Sequence, residues 1–396
     1  MGLKSTLQKY FKGDPILWAV IAVLAAISLL AVYSSTGSLA YKYQGGNTYY
    51  YMFKHFVFLM VGIALIWGIH QMDYKVFAKY ATLLLWVSIV LLFVTLVTGM
   101  SLNQASRWLT VPGIGLSFQP SELAKLALII YIARTLARHQ DADYGARDAF
   151  RPIIVYVGLV CGLIFTEDFS TAFLIGFIAF LMMFVGRVPM RFLGGTVAVV
   201  VMVVTIMILA SPYLPFLHRA ETWKTRIENF MGGEGVDDDS DGNYQARMSQ
   251  MAVATGGILG KGPGNSKQRN FLPHPYSDFI FAIIVEEWGV IGALLIVMCY
   301  VVFLFRAGVI VRGSTRTFPA FLAIGLSYLL VFQGFFNMGV AVGIFPVTGQ
   351  PLPLVSMGGT SILFTCVAMG AILCVSRNNM EEAQRLKEEA HKEAYS

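Results

Sequence analysis

Charge is scarce in this chain of 396 residues: 13% are Asp, Glu, Lys or Arg, against 56% hydrophobic, and the mean hydropathy is +0.65. That shortage excludes a disordered chain and a coiled coil, both of which need charged residues in quantity. It also excludes the two or three soluble domains that this length would otherwise suggest. Cysteine is sparse too. The four present, Cys161, Cys299, Cys366 and Cys374, all fall inside apolar runs, where they are small buried hydrophobes, so a secreted disulfide scaffold and a zinc framework are excluded. The net charge of +6 does not point to nucleic acid, because in so apolar a chain the basic residues must first be placed against a bilayer.

What the chain has instead is long apolar runs. A spanning helix takes roughly 20 apolar residues, and hydropathy predicts ten: Ile16–Tyr33, Phe53–Ile69, Ala81–Val97, Ser121–Ala137, Pro152–Phe165, Thr171–Val185, Leu193–Leu209, Phe279–Phe305, Phe318–Val340 and Ser361–Ser376. The expected fold is thus an all-α integral membrane protein, one polytopic domain over residues 1–396, with a large extracytoplasmic loop at 211–277 between the seventh and eighth spans. The first run follows Lys4, Lys9 and Lys12 and lacks an A-x-A cleavage pattern, which makes it a retained signal-anchor. The fifth and sixth spans are short and form a bent hairpin around Thr166–Ser170.

With the N-terminus inside, 18 Lys and Arg fall on cytoplasmic segments and three, Lys42, Lys54 and Arg107, on short outer loops. The positive-inside rule therefore puts both termini in the cytoplasm. The tail, 377–396, mixes both charges at helical spacing and reads as a solvated helix.

Ionisable groups at membrane depth cost a few kcal/mol on insertion scales, so each asks for a reason. Glu122 and Lys125 lie one turn apart at a helix start behind Pro120, as a neutralising ion pair or a functional one. Arg107 and Trp108 enter that span from the outer loop and could be interfacial anchors alone. Glu167 and Asp168 read as acidic caps of the sixth span. Asp278 stands at the mouth of the eighth span, as an N-cap or as a working carboxylate. At helical spacing Glu286 lies roughly 80° around from it and Glu287 roughly opposite, so at most one glutamate could share its cavity.

Two motifs fail. Gly256–Lys267 is glycine-rich, but Gly262 follows Lys261 where a Walker A loop needs Ser or Thr; a backbone nest holding pyrophosphate and plain turn chemistry both stay open. Asp237–Gly242 begins like a calcium loop, yet Met248 stands where the bidentate glutamate is due.

Taken in order, Arg107-Trp108-Leu109, Gln119–Lys125, Tyr244-Gln245, the glycine run, Leu272-Pro273 leading to Asp278–Ala282 with Glu286-Glu287, Phe345–Pro353 and Ser356–Ser361 resemble the SEDS (shape, elongation, division, sporulation) family over nearly the whole chain. The likeness is closer to its division branch, FtsW, than to its elongation branch, RodA. It implies a ten-helix inner-membrane peptidoglycan glycosyltransferase that polymerises lipid II beside a class B penicillin-binding transpeptidase and other division proteins at the septum. The family's catalytic aspartate matches Asp278, and its supporting polar residues match Arg107, Trp108, Glu122 and Lys125. Three positions depart from the family pattern: His274 follows Leu-Pro in place of an acidic residue, Glu167–Ala172 replaces Pro-Asp-x-Gly-Thr-Ala, and Met357 replaces a tyrosine.

An α-linked sugar pyrophosphate becoming a β-linked polymer implies inversion in one displacement, with Asp278 as the general base. Candidates to stabilise the departing pyrophosphate are Arg107, Lys125, Arg226, Lys261 and Arg269, with Gln245 beside them. A divalent ion, magnesium or manganese, bridged by Asp278 or Glu286 is a further candidate, and no organic cofactor is implied. The rival reading, a lipid II flippase, would spread its charges through the bilayer depth, whereas these crowd one face.

Overall fold

A computed structural model describes residues 11–98, 100–102, 105–110, 117–140, 146–165, 168–210 and 241–394. The described elements are α1 (Pro15–Ser35), α2 (Gly37–Tyr43), α3 (Thr48–His70), α4 (Lys75–Thr98), β1 (Met100–Leu102), β2 (Ala105–Thr110), β3 (Ser117–Phe118), α5 (Pro120–Gln140), α6 (Ala146–Phe165), α7 (Phe169–Val185), α8 (Met190–Ala210), α9 (Asp241–Gly256), a 3-10 turn at Gln268–Asn270, α10 (Ile280–Arg312), α11 (Thr317–Ala341) and α12 (Thr360–Ala394).

Every expected span coincides with one of these helices, and among the described residues eight are long and apolar enough to cross a membrane. The other two are α5, which carries Glu122, Lys125, Arg134 and Arg138, and α7, which is 17 residues long. Local chemistry explains the starts. Asp14 caps α1 by accepting from the N–H groups of Ile16 and Leu17 at 2.9 and 3.2 Å, with Pro15 at the first helical position. Asp168 caps α7 by accepting from Thr171 N at 3.1 Å, which is the acidic cap the sequence suggests; Glu167 lies outside the described residues.

The core of the bundle is α5. Fifteen of its residues are buried, and it packs against α4, α6, α7 and α11. Helix α7 is fastened to α11 by rings: Phe177 meets Phe332 edge-on at 5.2 Å, and Phe173 meets Phe336 at 5.9 Å.

Three expectations change. The segment before α5 is a small sheet rather than a plain loop: β1 pairs with β2 and β2 with β3, all antiparallel, with Met100 opposite Trp108 and Leu109 opposite Phe118. Pairing satisfies backbone groups that a loose loop at this depth would leave bare. Next, α12 does not end near Ser376 but runs unbroken for 35 residues into the charged tail, whose helix stays exposed. Lys12 ties the start of the bundle to that tail through Glu381 at 3.0 Å.

Third, the eighth span is not one rod. Gly289, at φ 66° and ψ −164°, breaks α10 into two helices. The glycine run after α9 docks there. Lys261 N donates to Glu286 O at 3.0 Å, Gly262 N to Glu287 O at 2.9 Å, and Val290 N to Gly257 O at 3.0 Å. A Cβ at Gly289 would lie 2.2 Å from the carbonyl oxygen of Ile258, so only glycine fits both the angle and the approach.

Candidate active site

Asp278 sits in the turn that leads into α10, half-buried. Phe279, not Asp278, occupies the cap position, and no side chain caps this helix, so the N-cap reading of the aspartate is not realised. The Ser277 hydroxyl donates to its Oδ1 at 2.9 Å. The backbone of Gly349 passes close by, such that a Cβ there would be 3.5 Å from Asp278 Oδ2.

The turn is held from two sides. Asn337, on α11, donates through Nδ2 to the Asp278 carbonyl at 2.8 Å and to the Gln350 carbonyl at 2.7 Å. The segment between α11 and α12 straps across it: the Ser356 hydroxyl donates to Ser277 O at 2.5 Å and accepts from Leu352 N at 2.8 Å, while Met357 N donates to Tyr276 O at 2.9 Å. Burial, and next the neighbouring Asp278 carboxylate, push the Tyr276 phenol above its usual range.

The Glu122 and Lys125 pair is formed and buried. Lys125 Nζ donates to Glu122 Oε1 at 2.7 Å and to Gln333 Oε1 at 3.2 Å, and the lysine is 1% exposed. A cation so placed needs compensation, which the carboxylate and the amide supply. The contacts continue toward the aspartate: Gln333 Nε2 donates to Pro351 O at 3.0 Å, and Gln350 Nε2 to Thr171 Oγ1 at 2.7 Å. Lys125, Gln333, the Pro351–Gln350 backbone and Asn337 thus form a connected path to the backbone of Asp278. Gln333, Asn337, Gln350 and Thr171 are buried polar groups that the sequence reading missed. The signal was there in part: two amides four residues apart within an otherwise apolar span share one helix face.

Other candidates lie elsewhere. Glu286 is fully buried and accepts from Lys261 Nζ at 2.6 Å, Ser266 Oγ at 2.5 Å, Lys267 N at 3.1 Å and Gln268 N at 3.2 Å. Glu287 accepts from the Ser34 hydroxyl and from Ser266 N at 3.3 Å. Arg269 donates to Ser34 O at 2.8 Å. Lys261, Arg269 and Glu286 are therefore gathered around the glycine turn and the end of α1, where the nest grips this chain's own carboxylate. Two glutamates of α10 accept from this turn, which engages it within the chain.

Gln245 is half-buried on α9, the helix that Ser249 fastens to Ala341 O at 2.9 Å. Arg107 lies on β2, its side chain outside the described residues; Arg226 and the acidic stretch 237–240 lie outside them altogether. For a divalent ion, the described residues offer no group of three or more His, Cys, Asp or Glu. Asp278 remains as one carboxylate, which suits an ion that takes its other oxygens from phosphates.

Comparison with known proteins bears on this geometry. The family of FtsW, RodA and SpoVE, described as cell cycle protein, matches residues 14–381. A relative in Saccharophagus degradans named probable peptidoglycan glycosyltransferase FtsW is 34% identical over 387 residues, covering 96% of this chain and 95% of its own. One of the same name in Trichlorobacter lovleyi is 32% identical over 370 residues, 92% of this chain and 93% of its own. Among solved structures, a chain from a peptidoglycan synthase complex that coordinates polymerization and crosslinking superposes with a TM-score of 0.74 at 27% identity, over 93% of this chain and 99% of that one. The rod shape determining protein RodA of Thermus thermophilus shares the fold, with a TM-score of 0.66 at 24% identity over 94% and 99% of the two chains.

Proposed function

The chain belongs to the FtsW, RodA and SpoVE family of cell cycle proteins and is a peptidoglycan glycosyltransferase, and from that premise we propose that it polymerises lipid II with Asp278 as the general base. The observation that carries the reading is the way Asp278 is presented. Its backbone is clamped by Asn337, its carboxylate accepts a hydrogen bond from Ser277, and it stands half-buried in the turn before α10, outside the cap position.

In the reaction proposed, the 4-hydroxyl oxygen of an acceptor sugar attacks the anomeric carbon of a lipid-linked donor. The carbon–oxygen bond forms as the bond to the pyrophosphate breaks, the proton passes to Asp278, and the anomeric centre inverts. The leaving group's charge needs cations. With Lys261 and Arg269 committed to Glu286 and Ser34, and Lys125 buried against Glu122, the proposal rests that role on Arg107, with Lys125 acting through the polar path behind the aspartate. Magnesium or manganese held by Asp278 and the substrate phosphates would supply further charge neutralisation.

The remaining features are parts of the same reading: ten crossings, 211–277 on the outer face, and both termini cytoplasmic, which the distribution of 18 basic residues against three supports. A septal role and a class B penicillin-binding partner belong to the proposal; what supports them is the likeness to relatives named FtsW and to a chain solved in a peptidoglycan synthase complex. The test is glycan polymerisation by purified Asp278→Asn with fluorescent lipid II. The expected result is no product; product at the wild-type rate removes the aspartate from the mechanism and reopens the flippase reading.

A further inference from the structure

Two arginines converge on one ring at one end of the bundle. Arg147, the second residue of α6, lies over the Phe192 ring at 5.7 Å from its centroid, and Arg191, the second residue of α8, lies over the same ring at 5.2 Å. We propose that this pair binds the phosphate of an anionic phospholipid whose acyl chains lie along α8. The site depends on α6 and α8 crossing a bilayer and not on the chemistry at Asp278.

The ring that gathers the charges is itself fixed. Phe192 is half-buried and stacks on Phe150 of α6 at 5.1 Å, which ties the start of α8 to the start of α6. A guanidinium is attracted to an aromatic face, so both charges are held where the ring is. Both arginines stay exposed, and among the described residues neither makes an ion pair. Among the described residues, the stretches 138–140, 146–151 and 186–192 set Arg138, Arg147, Arg151, Arg187 and Arg191 against Asp148 alone. Like charges brought to one ring repel each other, and an anion between them removes that cost.

Local reasons do not account for the placement. A cation in the first turn of a helix opposes the dipole instead of complementing it, and here two helices do so side by side. Arginines that only orient a chain in the membrane need a side of the bilayer and no fixed contact. The turn between α7 and α8 is also held in one shape: Arg187 takes φ 58°, where glycine is favoured, and Gln140 donates to the neighbouring Gly186 O at 3.1 Å.

The end of a span meets the headgroup layer, and basic pockets between helices at that depth bind lipid phosphates. The surface beyond the arginines suits the rest of such a molecule. Gly194 and Gly195, the next turn of α8, would find nothing within 4 Å of an added Cβ, and Val197, Val200, Val201 and Ile206 are exposed. Only 6% of the apolar stretch of α8 is buried. A free phosphate would use the arginines and leave this face bare; a phospholipid uses both.

The test titrates the purified full-length protein in detergent with phosphatidylglycerol and with phosphatidylcholine of the same acyl chains, counting bound lipid by native mass spectrometry. The wild type is expected to bind phosphatidylglycerol about tenfold more tightly, and Arg147→Gln with Arg191→Gln to reduce that preference to about twofold or less. Phe192→Leu, which keeps both charges but removes the ring that holds them, is expected to lose part of the preference and carries the test if the glutamine pair does not fold. Arg312→Gln with Arg316→Gln, the same charge taken from the turn between α10 and α11, is expected to change nothing. A preference that survives both the glutamine pair and Phe192→Leu overturns the site, and an equal loss in the Arg312 and Arg316 control reduces it to diffuse attraction by a basic surface. Displacement of bound phosphatidylglycerol by inorganic phosphate at equal concentration overturns the lipid as its ligand.

Discussion

The side-chain amide of Asn337 donates to the backbone carbonyl of Asp278 at 2.8 Å. The same nitrogen holds the Gln350 carbonyl at 2.7 Å, so one buried amide joins α11, the strap and the turn bearing the candidate base. That arrangement aims the carboxylate without touching it.

Asn337→Ala should therefore act on turnover more than on affinity. We expect kcat for lipid II polymerisation to fall about tenfold while KM stays within about twofold, since a displaced catalytic group loses orientation before it loses substrate. Steady-state kinetics on the purified variant decide it, and an effect confined to KM would refute the positioning role.

The ion pair of Glu122 and Lys125 makes a non-additive prediction. Lys125→Ala leaves a largely buried carboxylate uncompensated and should cost about 3–5 kcal/mol, whereas Lys125→Ala combined with Glu122→Ala should cost less than the single change. Thermal unfolding in detergent compares them. A double variant no more stable than Lys125→Ala shows that the pair does not compensate as described.

Gly289→Ala tests the joint in α10. The new methyl would meet Ile258 O at 2.2 Å and Gly260 N at 2.5 Å at a positive φ, so a loss of more than about 3 kcal/mol is expected. A melting temperature within about 2 °C of the wild type would show that the glycine turn yields easily.

Metal removal separates the two carboxylates. Chelation should slow polymerisation, with magnesium or manganese restoring it, and Glu286→Gln should lower stability without changing the metal requirement, because that carboxylate is already saturated by Lys261, Ser266 and two backbone N–H groups. A shift in the metal concentration needed by Glu286→Gln would place Glu286 at the ion instead.

The helices were legible because apolar runs of the right length have few other uses: segments such as Phe318–Val340 map directly onto α11. Asp278 was legible for a different reason, a charged residue entering a span beside motifs that match a family. Glu286 was legible only as a position on a helix face. Spacing along a helix says which face a residue occupies, but not that a glycine turn from another part of the chain will cover that face and consume the carboxylate.

By itself, then, the sequence determined the membrane class, the apolar helices and the one-turn spacing of Glu122 and Lys125, and it put Asp278 forward as the candidate base, since each follows from local hydropathy, helical spacing or motif. Only the tertiary structure decided which cations were already spent, that Asn337 and Gln350 clamp the turn, and that Arg147 and Arg191 meet over the ring of Phe192. Those facts depend on contacts between residues as far apart in the chain as Ser34 and Arg269, whose pairing is set by how whole helices pack and leaves no local mark in the sequence.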